Sequence, residues 1–391
     1  MKFDFIVFGG TGKEGRICSR DLLESGYSVL ICGRDKPRVS EILNNKRFKK
    51  KVDFYKVDLR EFNEIVKAIN FSHCDVVVNC AELSFNLDIM KACLKTKKSY
   101  TDLGGLQYMT IKQFALDKSF KKASITAISG CGATPGIANV LVGHGIKYFD
   151  KIETINLGFA WDSNFKKFVV PYSIQSIFQE FTESPVILSN GKFKKSDRFR
   201  CMGTFTFPEI GKQTVYCIVH SEVYSFAKYY KSKGLKNVDY MAGFPPHSYN
   251  VIKTFLDLGF DSQEKTLDFN NVKVSPLEAT HKILRLVKPV KGYEEIEDIW
   301  VRMEGVKNGK KVKHNFDCLI HSLKDWSGVG SDVGTGMPIS IISQMLKNKN
   351  ITEKGVYAPE VIVPSELFFD ELRKRKIYIY HNNKKVNKKV N

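Results

Sequence analysis

The sequence predicts an α/β fold, in which a doubly wound parallel sheet is joined to an inserted α+β domain built on antiparallel sheet. Up to about residue 130, short apolar runs alternate with helical stretches, which is typical of parallel strands covered on both faces. Beyond about residue 145 the strand-like runs are longer. Two Asn-Gly pairs, Asn190-Gly191 and Asn308-Gly309, then mark tight hairpins, because these residues accept the positive φ angles of a type I′ turn.

The first third of the chain supplies the elements of the parallel sheet. Its apolar runs predict strands at residues 5–8, 28–31, 52–57, 75–79, 99–102 and 124–128. Helices are expected between them, at residues 13–25 and at about 36–47, 61–71, 84–97 and 108–121. Right-handed crossovers place such helices on both faces of the sheet, so this order predicts a doubly wound fold.

The rest of the chain is predicted to form the inserted domain and a C-terminal segment. Ser275, Pro276 and Glu278 form a capping box with proline at the first helical position, so a helix is expected to begin there. Apolar residues at helical spacing follow Thr335. We expect a nucleotide-binding domain over residues 1–135, an α+β domain over 136–330, a C-terminal segment over 331–380 and a disordered basic tail over 381–391.

Composition narrows the class of protein. The chain has 391 residues, of which 43% are hydrophobic and 26% charged, ordinary values for a globular protein. No apolar run reaches the ~18–20 residues of a membrane span, and no secretory leader is expected before the first strand. Nine scattered cysteines without a C-x-x-C pair favour reduced thiols over disulfides or a zinc site. We therefore expect a cytoplasmic protein with neither a membrane partner nor a metal.

The net charge of +19 raises the question of a nucleic-acid surface. The basic runs are scattered along the whole chain, however, and no groove-reading element or base-stacking platform is apparent. The favoured interpretation is a solvated basic surface, and nucleic acid is not an expected partner. A positive field would still attract anionic cofactors and carboxylates.

A glycine-rich loop directly follows the first predicted strand. Gly9, Gly12 and Gly15 form G-x-x-G-x-x-G, a variant of the Rossmann dinucleotide fingerprint, and Lys13 lies at the start of the first helix. The first glycine permits a tight turn, the second lets the backbone approach a pyrophosphate, and the third lets helix and strand pack closely. The positive end of the helix then faces the phosphates. These four residues are predicted to bind a nicotinamide dinucleotide.

The residue after the second strand bears on the choice of cofactor. An NAD site is expected to have an acidic residue there, whereas this chain has Arg34 after Gly33. A guanidinium pairs well with a 2′-phosphate, so NADP is favoured over NAD. Asp35 is the argument for NAD, and a solvated Arg34 is the alternative. Further cofactor contacts are expected after the third and fourth strands, from Asp58, Asn79 and Cys80.

Three segments resemble a known family. They are "VVVNCAELSFNLDIMKACLKTKKSYTDLGG" (76–105), "GCGATPGIANVLV" (130–142) and "TGMPISIISQMLKNKNITEKGVYAPEVIVPSELFFDELRKRKI" (335–377). Each is similar to the saccharopine dehydrogenase family, and within it to the saccharopine reductase and lysine 6-dehydrogenase branch. The resemblance covers essentially the whole chain, and its most distinctive element lies in residues 355–380.

This resemblance implies an NAD(P)-dependent oxidoreductase that acts on a C–N bond. In such enzymes hydride passes between an amine-bearing carbon and nicotinamide, by way of an imine. The resemblance also implies that the α+β domain binds substrate and forms a homodimer, and that the C-terminal segment returns to the Rossmann core. Members tend to have an acidic residue where this chain has Gly130. That departure keeps open an alternative, a catalytically inactive nucleotide-binding protein that acts as a sensor or interaction partner.

Candidate catalytic residues follow from the position of the sheet edge. Ligands bind beyond the carboxyl ends of parallel strands, where Asp102 and the loop with Gly132 and Pro135 are expected. Asp102 is a candidate for holding an ammonium group or transferring a proton, and a loop hydrogen bond is its alternative role. His220 is a second catalytic candidate. Gly132 and Pro135 are expected to lie against the nicotinamide, although an ordinary turn would use the same residues.

Substrate contacts are expected from the second domain. Carboxylates are usually bound by arginine, and Arg200 and Arg302 lie on strands predicted near the hairpins, so one of them is a candidate for the cleft. For each of them singly, a surface salt bridge is the favoured alternative. Tyr172 and Ser173, which follow Pro171, are further candidates. Because arginine is scarce between residues 131 and 330, a smaller substrate such as lysine is favoured over saccharopine.

Overall fold

A computed structural model describes residues 2–168, 178, 180–181, 183–284, 286–287, 290–323 and 332–386. The strands, in chain order, are β1 (Phe5–Phe8), β2 (Val29–Gly33), β3 (Val52–Lys56), β4 (Val76–Asn79), β5 (Ser99–Asp102), β6 (Thr126–Ile128), β7 (Lys151–Ser163), β8 (Val186–Ser189), β9 (Lys192–Lys195), β10 (Cys201–Phe207), β11 (Gly211–Cys217), β12 (Asn237–Gly243), β13 (Leu267–Phe269), β14 (Val272–Val274), β15 (Glu295–Lys307), β16 (Lys310–His321), β17 (Gly355–Tyr357), β18 (Tyr378–His381) and β19 (Lys384–Lys385).

The α-helices lie between these strands. They are α1 (Lys13–Glu24), α2 (Ser40–Leu43), α3 (Phe62–Ser72), α4 (Asn86–Thr96), α5 (Gln107–Phe114), α6 (Asp117–Lys122), α7 (Ile137–Gly145), α8 (Glu222–Tyr230), α9 (Pro246–Asp257), α10 (Pro276–Leu284), α11 (Asp332–Lys347), α12 (Pro359–Ile362) and α13 (Ser365–Lys374). The helix predicted at about 108–121 is divided into two, α5 and α6. At the start of α10 the Ser275 hydroxyl accepts a hydrogen bond from the Glu278 backbone N–H at 3.2 Å, as the capping pattern predicts.

The nucleotide domain is a parallel sheet in the order β17-β6-β5-β4-β1-β2-β3. Its first six strands in the sequence are those that the apolar runs predict, so the doubly wound fold is confirmed. The seventh, β17, comes from the C-terminal segment and pairs in parallel with β6. The chain therefore leaves the sheet after β6 and returns to its edge more than 200 residues later.

The second domain is built on a ten-stranded sheet with the main order β10-β11-β12-β7-β15-β16-β18-β19. Most of its pairs are antiparallel, but β12 and β7 run in parallel, so the sheet is mixed. Successive side chains along a strand point to opposite faces of the sheet. Ile299 and Val301 pack in the same core as Ile31 of the nucleotide domain and Leu141 of α7, whereas Trp300 packs in a separate cluster.

Both predicted Asn-Gly hairpins are present. Asn308 and Gly309 have φ angles of 49° and 73° and join β15 to β16. Asn190 and Gly191 have φ angles of 50° and 74° and join β8 to β9. These left-handed pairs match the twist of the flanking strands, which is why the sequence signal is dependable.

The predicted disorder of residues 381–391 is wrong for residues 381–386. Residues 378–381 form β18, which pairs with β16, and a turn leads into β19. Asn382 and Asn383 form this turn with φ angles of 48° and 64°. Asparagine tolerates such angles, so a segment whose composition is typical of a tail ends the sheet as a hairpin. Residues 387–391 lie outside the described part of the chain.

A buried ion pair fastens the C-terminal segment to the first helix of the nucleotide domain. The Arg375 guanidinium donates to both oxygens of Asp21, at 2.7 Å and 2.9 Å. Ser340 in α11 donates to the same carboxylate at 2.6 Å. Gly336 brings α11 against α1, because a Cβ there would lie 2.7 Å from a side-chain carbon of Ile17. Within the described ranges, no helix has the length and apolar character needed to traverse a bilayer.

We predict that Arg375→Met destabilises the protein much more than Arg373→Met. The first substitution leaves the buried Asp21 carboxylate without its cation, which costs about 3–5 kcal/mol of the free energy of unfolding. Arg373 pairs with Asp370 on the surface of its own helix, and losing that pair costs about 0–1 kcal/mol. Urea denaturation of both variants measures the difference. Equal midpoints would show that the Asp21 pair does not hold the segment.

Candidate functional site

The loops that leave β1, β4, β5 and β6 meet at the carboxyl edge of the parallel sheet, as expected for a ligand site. Gly9 has a φ of +68°, and a Cβ there would lie 2.5 Å from the Ala81 backbone nitrogen. A Cβ on Gly15 would lie 2.3 Å from the Gly9 carbonyl oxygen. Gly12 precedes α1, so the positive end of the helix opens onto this cradle. The cradle fits the pyrophosphate of a dinucleotide, as predicted from its three glycines.

Lys13 has a partner in the C-terminal segment. Its Nζ lies 3.2 Å from Asp332 Oδ2, at the start of α11. Burial raises the pKa of Asp332 to about 8, although the Lys13 charge opposes this rise and the Glu14 and Glu295 charges add to it. The ion pair places a basic side chain between the phosphate cradle and α11, and a cofactor contact by Lys13 stays a prediction.

The predicted adenosine contacts lie at the ends of β2 and β3. Arg34 is exposed and makes no ion pair with the described residues. The Asp58 carboxylate is held by Arg60, whose Nε donates at 2.9 Å and whose charge lowers the pKa of that carboxyl. Asp58 is thus engaged by a neighbour, whereas the Arg34 guanidinium is available for a 2′-phosphate. Both cofactor contacts stay predictions.

Asn79 shapes the turn that closes over the cradle. Its Nδ2 donates to Asn86 Oδ1 at 2.8 Å and to the Tyr100 hydroxyl at 3.1 Å. Its Oδ1 accepts a hydrogen bond from the Ala81 backbone N–H at 3.0 Å. The side chain is therefore fully engaged within the protein and aligns the Cys80 backbone against Gly9. A direct cofactor contact by Asn79 or Cys80 remains a prediction.

Asp102 ends β5, and its buried carboxylate is used inside the protein. One oxygen accepts from the backbone N–H groups of Gly104 and Gly130, both at 2.8 Å. The other accepts from the Gln113 amide. Burial raises the pKa of Asp102, and these donors partly offset the rise. Asp102 thus makes the loop hydrogen bonds that were its alternative role, and its catalytic role stays a prediction.

The loop after β6 is compact. Its packing accounts for glycine at position 130, where family members tend to have an acidic residue. Gly130 has a φ of +84°, and a Cβ there would lie 2.8 Å from the Pro135 ring. A Cβ on Gly104 would lie 2.5 Å from the same ring. Pro135 thus fills the space that a side chain at 130 would need. Gly132 donates its backbone N–H to the Pro135 carbonyl at 2.7 Å and packs against Thr335 of α11.

The second domain supplies a wall that faces this loop. The wall is formed by His220, Glu222 and Tyr240, and Tyr240 lies next to Thr134 of the loop. His220 stacks on Tyr240 of β12, with ring centroids 3.8 Å apart and planes 6° apart. Its Nδ1 is hydrogen-bonded to Glu222, the first residue of α8. Burial lowers the pKa of His220, but the Glu222 charge and hydrogen bond outweigh burial, so the net shift is upward. The structure places His220 at the wall, behind Tyr240, and its catalytic role stays a prediction.

Glu297 is a site residue that sequence reasoning missed. It lies on β15 in the same register as Ile299 and Val301, on the face that packs toward the nucleotide domain. Burial raises the pKa of Glu297 well above its usual range, and the charges of Glu295 and Asp332 add to this rise. The signal in the sequence is the run "YEEIEDIW", whose alternating carboxyls point to opposite faces of one strand.

Arg200 and Arg302 both have partners within the second domain, and their substrate role stays a prediction. Arg302 shares the face of Trp300, turned away from the nucleotide domain, and its guanidinium pairs with Asp317. Arg200 precedes β10 and hydrogen-bonds to Ser196 at 3.1 Å. Strand register decides which face a residue occupies, and it could not be read from the sequence alone. Tyr172 and Ser173 lie outside the described residues.

Family models match both halves of the chain. The saccharopine dehydrogenase NADP binding domain matches residues 5–128, and the saccharopine dehydrogenase C-terminal domain matches residues 132–377. The chain belongs to the saccharopine dehydrogenase family. The resemblance predicted from its sequence segments is thereby confirmed. The family consists of NAD(P)-dependent oxidoreductases, so a nicotinamide cofactor is supported for the glycine cradle.

The names of two curated relatives mention neither lysine nor saccharopine. Carboxynorspermidine synthase of Vibrio cholerae serotype O1 (strain ATCC 39315 / El Tor Inaba N16961) is 27% identical over 368 residues, which cover 88% of this chain and 86% of that protein. Carboxyaminopropylagmatine dehydrogenase of Synechocystis sp. (strain ATCC 27184 / PCC 6803 / Kazusa) is 22% identical, covering 92% of this chain and 93% of that protein.

The fold of the family is also found in a solved structure. Apo saccharopine dehydrogenase (L-Glu forming) from Saccharomyces cerevisiae superposes with a TM-score of 0.73 and covers 98% of this chain and 100% of that chain. Its sequence identity is 13%, so the likeness concerns the fold alone. It confirms the combination of a parallel nucleotide domain with a second, mixed-sheet domain. Among the residues that the model describes, no cluster of side chains could hold a metal ion.

We predict that Gly9→Ala weakens NADPH binding at least about tenfold, or ~1.4 kcal/mol, because its Cβ would collide with the backbone of Cys80 and Ala81. Gly26→Ala is the matched control, since Gly26 also has a positive φ, +96°, but nothing lies within 4 Å of the added Cβ. Fluorescence titration with NADPH measures both dissociation constants. Similar constants for the two variants would contradict the cradle.

Proposed function

We propose that this family member is an NADP-dependent oxidoreductase that joins an aliphatic di- or polyamine to a carboxylated aldehyde, or runs the same reaction in reverse. The observation behind this proposal is the wall that faces the loop with Thr134 and Pro135. That wall has a buried carboxyl at Glu222, a half-buried carboxyl at Glu297 and no arginine among its described residues. Such a wall suits a substrate with several ammonium groups better than one with several carboxylates.

The names of the curated relatives support the same class of substrate. Carboxynorspermidine and carboxyaminopropylagmatine each contain a carboxylated aminopropyl group attached to an amine nitrogen. Oxidising that C–N bond to the imine, with NADP+ as the hydride acceptor, and hydrolysing the imine with water gives 2-amino-4-oxobutanoate and an amine. The amine is 1,3-diaminopropane in one case and agmatine in the other. The lysine or saccharopine substrate expected from the sequence stays a prediction, to be compared directly with these amines.

The proposed reaction is balanced as follows. The amine nitrogen adds to the aldehyde carbon, and water leaves to give an imine. Hydride, which bound NADPH supplies, adds to the imine carbon while the nitrogen takes a proton, so the imine is reduced to a secondary amine. In this scheme the loop held by Asp102 positions Thr134 and Pro135 beside the reacting carbon, and the buried wall excludes water from the imine.

The choice of NADP over NAD belongs to this proposal. It is supported by Arg34, an exposed residue that directly follows β2. Arg34 occupies the position where an NAD site is expected to have an acidic residue. The alternative of a catalytically inactive protein was suggested by glycine in place of an acidic residue at position 130. The packing of Gly130 offers another reason for that glycine, because the Pro135 ring leaves no room for a carboxylate there. A catalytic protein can therefore have glycine at this position.

We predict that NADPH is oxidised only when both an aldehyde and an amine are present. The assay follows absorbance at 340 nm with 2-amino-4-oxobutanoate plus 1,3-diaminopropane, putrescine or agmatine, and with 2-aminoadipate semialdehyde plus glutamate. We expect turnover with the diamines and a lower rate with NADH than with NADPH. Each aldehyde without amine is the control. Turnover only in the mixture of 2-aminoadipate semialdehyde and glutamate would contradict a polyamine substrate. NADPH binding without turnover in any mixture would favour a catalytically inactive nucleotide-binding protein.

We also propose a homodimer, which the resemblance leads us to expect. Its support is a group of exposed apolar side chains in the second domain, at Leu258, Phe269, Val272, Ile283 and Leu286. A monomeric protein rarely exposes so many apolar residues close together in its chain. Light scattering should give twice the 44.5 kDa mass of the chain. A single-chain mass at micromolar concentration would contradict the dimer.

A further inference from the structure

The C-terminal segment contains a buried glutamate that the proposed reaction does not use. Glu360 is the second residue of α12, and its side chain is buried. Its Oε2 accepts a hydrogen bond from Asn139 Nδ2 at 2.8 Å. Its Oε1 has no hydrogen-bond partner among the residues described. The one side chain that Glu360 engages at short distance is therefore that of Asn139, in the first turn of α7.

Asn139 carries this contact to the loop after β6. Its Oδ1 accepts a hydrogen bond from the Gly136 backbone N–H at 2.8 Å. An asparagine side chain has its donor and its acceptor on opposite sides of one planar amide, whereas an ionised carboxylate can only accept. The carboxylate of Glu360 therefore selects the orientation in which Asn139 turns its donor to α12 and its acceptor to Gly136.

The turn that Asn139 holds contains the two residues that the proposed reaction places beside the reacting carbon, Thr134 and Pro135. The Gly132 backbone N–H donates to the Pro135 carbonyl at 2.7 Å. A Cβ on Gly136 would lie 1.9 Å from the Gly132 carbonyl oxygen, so the two ends of the turn are in close contact. Asp102 fixes the entry to this turn, and Asn139 fixes its exit.

The backbone of Glu360 is fixed as well, so its carboxyl is a firm support. The Tyr230 hydroxyl, from α8, donates to the Glu360 carbonyl oxygen at 3.1 Å. A Cβ on Gly143 would lie 2.3 Å from the same oxygen, which shows that α12 packs directly against α7. A side chain locked in this way can hold a neighbouring loop in one geometry.

We propose that Glu360 is a positioning residue, which acts through Asn139 to hold Thr134 and Pro135 where the reaction needs them. The effect on turnover rests on the proposed function, whereas the effect on the turn does not. Because Glu360 is buried between α7 and α8, it supports the turn from behind and touches neither substrate nor cofactor.

Two substitutions separate the acceptor oxygen from the rest of the side chain. Burial raises the pKa of Glu360 to about 7, and the neighbouring Ser225 and Asn139 side chains oppose this rise. A protonated carboxyl still has an acceptor oxygen for Asn139, and so does glutamine. Glu360→Gln therefore retains the contact, whereas Glu360→Met, which is similar in size, removes it.

The first test measures kcat and KM at saturating NADPH, in whichever aldehyde and amine mixture gives turnover. We expect Glu360→Met to lower kcat about 10- to 100-fold, because the reacting atoms are misplaced. The KM for the amine should change less than about threefold, since ground-state binding is retained. Glu360→Gln should retain at least about half of the wild-type kcat. An unchanged kcat in Glu360→Met, or equal losses in both variants, overturns the positioning role and leaves the proposed reaction standing.

Glu366→Met is the matched control. Glu366 lies in the same segment but is exposed and paired with Lys147, so its substitution should change neither kcat nor KM. Circular dichroism and NADPH titration confirm that each variant is folded and binds cofactor.

A double variant tests whether Glu360 acts through Asn139. Asn139→Ala already removes the contact, so adding Glu360→Met should lower kcat by no more than about a further twofold. Losses of kcat that multiply in the double variant would show that Glu360 acts by another route, which overturns the proposal.

Hydrogen exchange measures the turn directly and needs no turnover. With NADP added, we expect backbone amides of residues 132–137 to exchange at least about tenfold faster in Glu360→Met than in wild type, because the turn opens more often. Residues 9–15 should be unchanged, and Glu360→Gln should match wild type. Faster exchange supports the contact even in a protein that turns over none of the mixtures. Unchanged exchange overturns it, whether or not the proposed reaction is confirmed.

Discussion

The site depends on one buried carboxylate, that of Asp102. By accepting hydrogen bonds from Gly104, Gly130 and Gln113, it ties the exit of β5 to the exit of β6. The two glycines leave room for the Pro135 ring, and this packing fixes the direction in which the chain enters α7. Because these bonds are shielded from water, breaking them would cost more than an exposed hydrogen bond would. The loop is thus held rigidly where it meets both α11 and the second sheet.

The returning C-terminal segment makes the two domains one structure. It supplies β17 to the parallel sheet and β18 to the mixed sheet, and α11 lies between them against α1. The Asp21–Arg375 pair and the Lys13–Asp332 pair both join this segment to the phosphate-binding helix. The geometry of the cleft therefore depends on residues far apart in the chain, which meet only after the segment has returned to the sheet.

Charge is distributed unevenly across the cleft. The cradle side offers glycine backbone, the start of a helix and Lys13, which together favour phosphate. The second domain instead contributes the buried Glu222 and the half-buried Glu297, whose pKa is raised well above its usual range, mainly by burial. The net charge of +19 shows nothing of this arrangement, because it averages a basic surface with an acidic interior. The proposed preference for an amine substrate therefore rests on local charge and not on total charge.

The sequence by itself determined the order of strands, the glycine cradle, both Asn-Gly hairpins and the family, because each depends on residues close together in the chain. It did not determine which face of a strand a side chain occupies, since a shift of one residue in register reverses that face. Arg302 was therefore a candidate for the cleft and Glu297 was overlooked, although they lie five residues apart on one strand. Only the tertiary structure decided that Asp102 is engaged and that the Tyr240 hydroxyl has no hydrogen-bond partner among the described residues, because these properties depend on contacts between distant segments.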